Sequence, residues 1–274
     1  MLIVSALVSG LSLGAMYGLI ALGYHVTYAV SNTVNFSQGS SVMLGAVLCY
    51  TLWVTLGAPL AVERFLVRPF AARGSNAWLM ATVAGGIILD NAVMFTFGKE
   101  PRSLPSVLAT KPVSLFGAGV YPLQLIIPVV GIAIAAGLHV LLRHTKAGKR
   151  LLAVVQNPSA ARLMGIDVKR AIALSFAASA VLAAVAGMLI APLLSVASDM
   201  GLMFGIKAFA VAILGGIGSA TGIMVAGFLY GLAEALITAY LGSSYTQILV
   251  FSAVIAALAF LPNGLFGRAA VKKV

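Results

Sequence analysis

Charge is scarce in this chain, acidic charge most of all: six residues of 274 are Asp or Glu, and Lys, Arg, Asp and Glu together make up 8%. A soluble domain carries about 25% charged residues, so a water-exposed globular surface is excluded. Cysteine occurs once, as Cys49, which leaves no intrachain disulfide, and no Cys/His cluster has metal-ligand spacing. We therefore expect no redox chemistry, no metal and no catalytic residue. The opening run MLIVSALVSGLSLGAMYGLIALG lacks the basic residues that begin a secretory signal peptide, so it is expected to stay as a membrane span. The glycine-rich GGIGSATG, Gly215 to Gly222, lacks the Lys-Ser/Thr of a phosphate loop, which argues against nucleotide binding by this chain.

What is present is apolar: 61% of the residues, with a mean hydropathy of +1.09. A helix needs roughly 17 to 25 apolar residues to cross a hydrocarbon core of about 30 Å. Such runs lie at Met1 to Ala29, Trp78 to Phe97, Tyr121 to Leu142, Ala171 to Val196, Thr221 to Leu241 and Ile248 to Leu261. Two further segments, Ser40 to Leu60 and Phe204 to Gly218, are apolar but broken or short. The expected fold is an all-α, polytopic transmembrane helix bundle of roughly seven to eight segments, forming a single domain over residues 1–274.

The net charge of +11 would suggest a nucleic-acid partner in a soluble chain, but here the basic residues fall in loops between spans, where they set orientation. Seven of them, Arg143, Lys146, Lys149, Arg150, Arg162, Lys169 and Arg170, share the loop 143–170. Arg64, Arg68 and Arg73 lie in an earlier loop, and Arg268, Lys272 and Lys273 at the C-terminus. The positive-inside rule places all three regions in the cytoplasm. Parity then puts the loop 99–120 outside. Counting Met1 to Ala29 and Ser40 to Leu60 as full crossings puts the N-terminus in the cytoplasm.

Gly10, Gly14 and Gly18 recur every four residues, as do Gly218 with Gly222 and Gly227 with Gly231. Small residues one turn apart let membrane helices approach closely, so these are expected packing seams; path-lining or hinge glycines are the other reading.

Between two apolar runs stands KRLLAVVQNPSAARLMGIDVKR, Lys149 to Arg170. Asn157 before Pro158 is a helix N-cap with proline at the first helical position, and Gly165 falls where a glycine stop belongs. The signals predict a short helix from Pro158 to Met164, with Ala160 and Ala161 forming a small smooth face and Arg162, Asp167, Lys169 and Arg170 around it. Two turns of helix are not stable alone in water, so it must dock on its own bundle or on a cytoplasmic partner. A basic connector that only fixes topology is the alternative.

The stretch QNPSAARLMGIDVKRA resembles the cytoplasmic coupling loop of permease subunits of ABC importers for branched-chain amino acids, the LivH type. Further resemblances follow in the family's order: GLSLGAMYGLIALGYHVTYAVSNTVNFSQGSSVMLGA (Gly10 to Ala46), VERFLVRPF (Val62 to Phe70) and AFAVAILGGIGSATG (Ala208 to Gly222). The resemblance implies that Asn157, Pro158, Ala160, Ala161, Arg162, Gly165, Ile166 and Asp167 form the element that couples to the ATPases. It implies a second homologous permease, two cytoplasmic ATPase subunits carrying ATP and Mg, and a periplasmic or extracellular substrate-binding protein. The location it implies is a bacterial-type cytoplasmic membrane, with lipid around the bundle. Members of the family carry an additional span before the VERFLVRPF loop, for which Gly57 to Val62 leaves no room; with it, the N-terminus would lie outside.

Ionisable groups at membrane depth cost several kcal/mol and face a cavity or a partner. Asp90 and Glu234 are such groups, each a candidate for the transport path or for a hydrogen bond to a neighbouring helix. Asn35, Ser37, Gln38 and Gly39 in NFSQGS form a polar interruption, expected either as a pathway wall or as a plain turn. His25 and Lys207 are expected to reach toward water at the interface.

Overall fold

A computed structural model of the protein describes residues 2–51 and 78–267. Arg64, Arg68 and Arg73, the stretch from Val62 to Phe70, the short link Gly57 to Val62, and Arg268, Lys272 and Lys273 lie outside the described residues.

The chain forms helices α1 (Leu2–Ser31), α2 (Gln38–Tyr50), α3 (Trp78–Phe97) and α4 (Val107–Thr110), then a hairpin of β1 (Val113–Leu115) and β2 (Ala118–Val120). Next come α5 (Pro122–His144), α6 (Lys146–Gln156), α7 (Pro158–Leu163), α8 (Val168–Ile190), α9 (Met200–Gly215), α10 (Ala220–Leu241) and α11 (Ser243–Phe260). Among the described residues, α1, α5, α8, α10 and α11 are long and apolar enough to cross a membrane, and Ala84–Phe97 and α9 are shorter apolar helices. The bundle is thus helical in the way the apolar runs require, with one small hairpin that the all-α expectation did not include. Its turn is Phe116-Gly117, where both residues have positive φ, +48° and +81°, the geometry of a two-residue hairpin turn.

Helix α1 is the spine. Of its most apolar window 61% is buried, against 11% for α5, so α1 is enclosed by the bundle while α5 faces outward. It packs antiparallel on α10 through the expected glycines. A Cβ on Gly14 would lie 2.7 Å from the Gly227 carbonyl oxygen and the Phe228 Cα, and one on Gly231 would lie 2.3 Å from the Gly14 nitrogen. In lipid, where burial gives little drive between helices, this backbone contact supplies the dispersion energy of association. Gly10 joins the seam against Leu232, and Gly18 faces Met224. Gly222 meets Gly215 and Phe266 instead. Gly218 has no neighbour within 4 Å of its Cβ direction and sits in the turn before α10, so it belongs to no seam.

The two ends of the bundle are distinguished by their clusters. At the hairpin end, Val4 and Val8 of α1 pack on Leu115, Ala118 and Val120. At the opposite end Val30 of α1 packs with Val154, Ala161, Val168 and Ala171 around α6, α7 and α8. The N-terminus therefore lies at the end opposite the loop 143–170. That overturns the literal count of crossings and agrees with the side implied by the family resemblance. The physical reason is α2: the chain turns back after α1, and α2 begins at mid depth, with the Gln38 side chain bonded to the Ile20 carbonyl. It then runs toward the hairpin end, where Met43 and Val47 meet Val93, Phe97 and Val196. Ser40 to Tyr50 is not a crossing that starts from the far end.

Candidate functional site

Two places concentrate polar chemistry. The first is α7 and its flanks. The Asn157 side-chain oxygen accepts hydrogen bonds from the Ser159 and Ala160 backbone nitrogens, both at 3.0 Å, which starts the helix. Gly165, at φ +78°, stops it, with the Ile166 nitrogen donating to the Ala161 carbonyl at 3.0 Å. Asp167 at once caps α8 by accepting from the Arg170 nitrogen at 3.1 Å. Arg170 Nε also pairs with Asp167 Oδ2 at 3.0 Å, but both side chains are largely exposed, so the pair contributes little.

Only Ala161 of α7 is buried; Pro158, Ala160 and Arg162 face outward. Ala160 and Ala161 therefore do not share one smooth face: Ala161 anchors the helix and Ala160 is presented. The more telling residues are Leu163 and Met164, 90% and 82% exposed at the end of α7. Sequence reasoning passed over them, although two large apolar residues inside a charged stretch were a signal. A shallow cavity of about 410 Å³ opens beside them, lined by Arg162, Gly165, Ile166, Asp167 and Lys169. A rigid, capped helix bearing an apolar tip in a basic rim can seat in a groove of another protein.

The second place lies inside the bundle. The Lys207 ammonium of α9 and the Glu234 carboxylate of α10 form an ion pair, each side chain nearly buried. Lys207 Nζ also reaches the Tyr17 hydroxyl of α1 at 3.4 Å and lies 5.7 Å from the centre of that ring. Lys207 is therefore no interfacial residue reaching to water; Glu234 holds it at membrane depth, where a lone charge is costly. His25 is likewise turned inward, with Nδ1 bonded to the Ile217 carbonyl at 2.7 Å. Asp90 stands apart on α3 near Ser40, with its Oδ1 buried and without a hydrogen-bond partner.

In the NFSQGS segment Asn35, Gln38, Gly39 and Ser40 are buried, Ser37 is partly buried and Phe36 is exposed. Asn35 Oδ1 accepts from the Ser37 nitrogen (3.2 Å) and hydroxyl (2.7 Å), shaping the turn into α2. Gln38 is wholly buried and fully bonded, and a Cβ on Gly39 would lie 2.2 Å from the Gly201 carbonyl oxygen. These residues hold α2 against α1, α8 and α9.

Apolar spans around a glycine-packed spine, a buried ion pair between two of the helices and a capped helix at one end define a multi-pass integral membrane protein. The family model for the permease component of branched-chain amino acid transport systems matches residues 6–259, and the chain belongs to that family: it is a transport permease. Among its relatives is the protein named high-affinity branched-chain amino acid transport system permease protein LivH of Escherichia coli K12. It is 32% identical, with 97% of this chain and 96% of that protein covered. BraD of Pseudomonas aeruginosa, named likewise, is 33% identical over 98% of this chain and 97% of its own length. The probable LivH of Methanocaldococcus jannaschii is 30% identical over 91% and 88%. The alignment with the Escherichia coli protein runs over 295 positions, so at least 21 have no counterpart among the 274 residues here, about the length of one crossing. No solved structure matches.

Proposed function

We propose that this chain is one permease subunit of an ATP-driven ABC importer for branched-chain or other apolar amino acids. It works beside a second homologous permease, two cytoplasmic ATPase subunits that hold ATP and Mg, and a periplasmic or extracellular binding protein. The observation that carries the reading is α7: a helix with its own start, its own stop and an exposed Leu163-Met164 tip, pinned to three other helices by Ala161. Closure of the ATPases would move that tip, and α6, α8 and the end of α1 would carry the displacement into the bundle.

In this reading the loop 143–170 and the C-terminus are cytoplasmic, and the N-terminus and the loop 99–120 are external. The clusters at the two ends support this, as does the backbone contact of Leu265 and Phe266 with the end of α9. In this reading α2, α3 and α9 count beside the five long spans as short or broken membrane segments, eight in all. An ion-coupled carrier would need a relay of buried groups, whereas Asp90 on α3 stands apart from the Lys207–Glu234 pair of α9 and α10.

Gentle purification from the native membrane tests the assembly. ATPase subunits and a second permease should accompany the chain, and the complex in proteoliposomes should accumulate leucine only with ATP. A solitary chain that transports under an ion gradient would overturn the proposal.

A further inference from the structure

We propose that Lys207 and Glu234 form a docking site for the zwitterionic head of an α-amino acid, within the permease and toward its hairpin end; this rests on the amino acid permease reading above.

The pair has unused capacity. A lysine ammonium carries three donors. Here one is committed to Glu234 Oε1, and the Tyr17 hydroxyl is a long contact at 3.4 Å. On the acid, Oε1 takes the lysine while Oε2 is buried with no hydrogen-bond partner, in a residue only 9% exposed. An unsatisfied carboxylate oxygen at membrane depth is expensive; Ser12 Oγ and Asp90 Oδ1 are unpartnered too, but of the three residues only Glu234 borders this cavity, where a water, an ion or a ligand can complete it.

Both side chains border a cavity of about 440 Å³, within the size range of roughly 300 to 1,000 Å³ for small-molecule sites. Its wall has two characters. Ser5, Ser9 and Thr238 bring hydroxyls, and Ser9 is held in place by a hydrogen bond from Gln124 of α5 at 3.2 Å. Leu13, Leu194 and Phe204 make an apolar side. The site lies toward the hairpin end, since Glu234 stands one turn beyond Gly231, which packs on Gly10 and Gly14 near the start of α1.

The ligand class follows from charge balance. Lys207 and Glu234 are neutral as a pair. A ligand with a lone carboxylate would leave Glu234 without compensation, and a lone amine would do the same to Lys207, each at the cost of an unbalanced charge at membrane depth. A molecule carrying carboxylate and ammonium on one carbon keeps the balance at every stage. Its carboxylate accepts from the spare lysine N–H and its ammonium donates to the Glu234 carboxylate, a side-chain rotation bringing the buried Oε2 to the cavity, while its apolar side chain lies on the Leu13 and Phe204 side. The ion pair thus stands in for the substrate between cycles, neutralising the site when it is empty.

The test uses the whole complex in proteoliposomes, with ATP and its binding protein, and radiolabelled leucine as the probe. Replacing a buried ion pair by apolar residues is often neutral or stabilising, so Lys207→Met with Glu234→Leu should insert and assemble to the wild-type level, read as co-purified subunits. Leucine accumulation should fall by about tenfold or more, the scale of lost charged hydrogen bonds. Uptake by that double variant equal to wild type would overturn the site while leaving the permease reading intact. A wild-type complex that accumulates no amino acid would overturn the reading itself. If the double variant does not assemble, Ala239→Phe, which fills the cavity and spares the ion pair, gives the answer: lost uptake supports the site and retained uptake overturns it.

Discussion

Gln38 and Ser179, 141 residues apart, bond each other twice. The Ser179 hydroxyl donates to Gln38 Oε1 at 2.6 Å and Gln38 Nε2 donates to the Ser179 carbonyl at 3.0 Å, with a further contact to the Ile20 carbonyl at 3.3 Å. One wholly buried amide thus ties α2 to α8 and α1. Replacing Gln38 by Leu removes both ends of this exchange and leaves the Ser179 hydroxyl unpaired, at a cost of about 1–3 kcal/mol. The purified protein should unfold at a lower temperature, and adding Ser179→Ala should recover part of the loss, because the orphaned hydroxyl goes with it. Additive effects of the two changes would show that the pair is not coupled.

The glycine seam gives a second expectation. Gly14→Val pushes two methyl groups into the Gly227 and Phe228 backbone, which cannot move aside as a side chain would. Overpacking of this kind costs about 1–3 kcal/mol, occasionally more. Thermal stability in detergent should drop, whereas Gly218→Ala, with open space around it, should leave it unchanged. Equal effects at the two positions would contradict the seam.

These two cases also show what a sequence makes legible. Gly10, Gly14, Gly227 and Gly231 advertise themselves by regular spacing, since close helix contact repeats once per turn. Gly218 has the same spacing from Gly222, but the turn at the start of α10 breaks the helical phase between them. The capped α7 was readable because its start and stop are local backbone chemistry. Lys207 was not: its partner is 27 residues away on another helix, and only packing brings the two together. Gln38 is visible as polar, but its bond to α8 depends on Ser179, a distant serine with no local signature. The orientation of α1 turned on α2 starting at mid depth, which composition does not encode.

At the hairpin end, Arg102 is a clamp. Its backbone exchanges hydrogen bonds with Val196 (2.9 and 2.8 Å), its guanidinium donates to the Phe97 carbonyl at 2.9 Å, and its Cζ lies 4.6 Å from the Phe97 ring centre. Arg102→Ala keeps the backbone bridge and loses the rest, roughly 1 kcal/mol or more of local stability. Tryptic cleavage after Lys99 should quicken while the spans stay protected. Unaltered cleavage rates would mean that the backbone bridge alone holds the loop.

The exposed tip of α7 separates coupling from folding. Gly165 is a poor probe, because its positive φ strains any replacement and so reshapes the helix end. Asn157→Ala is also indirect, removing a cap worth about 1 kcal/mol. Met164→Asp is cleaner: the side chain is 82% exposed and touches nothing the bundle needs, so membrane insertion and thermal stability should stay at the wild-type level. If Leu163 and Met164 seat in an ATPase groove, a buried carboxylate there opposes docking. Co-purified ATPase should then fall on the order of tenfold, about 1.4 kcal/mol of association free energy. Arg162→Glu, at the exposed rim, should have a smaller effect that fades as salt is raised, since rim charges are screened. Undiminished ATPase recovery with Met164→Asp would move the contact elsewhere on the loop 143–170, with Val155, a large exposed apolar residue of α6, as the next position to change.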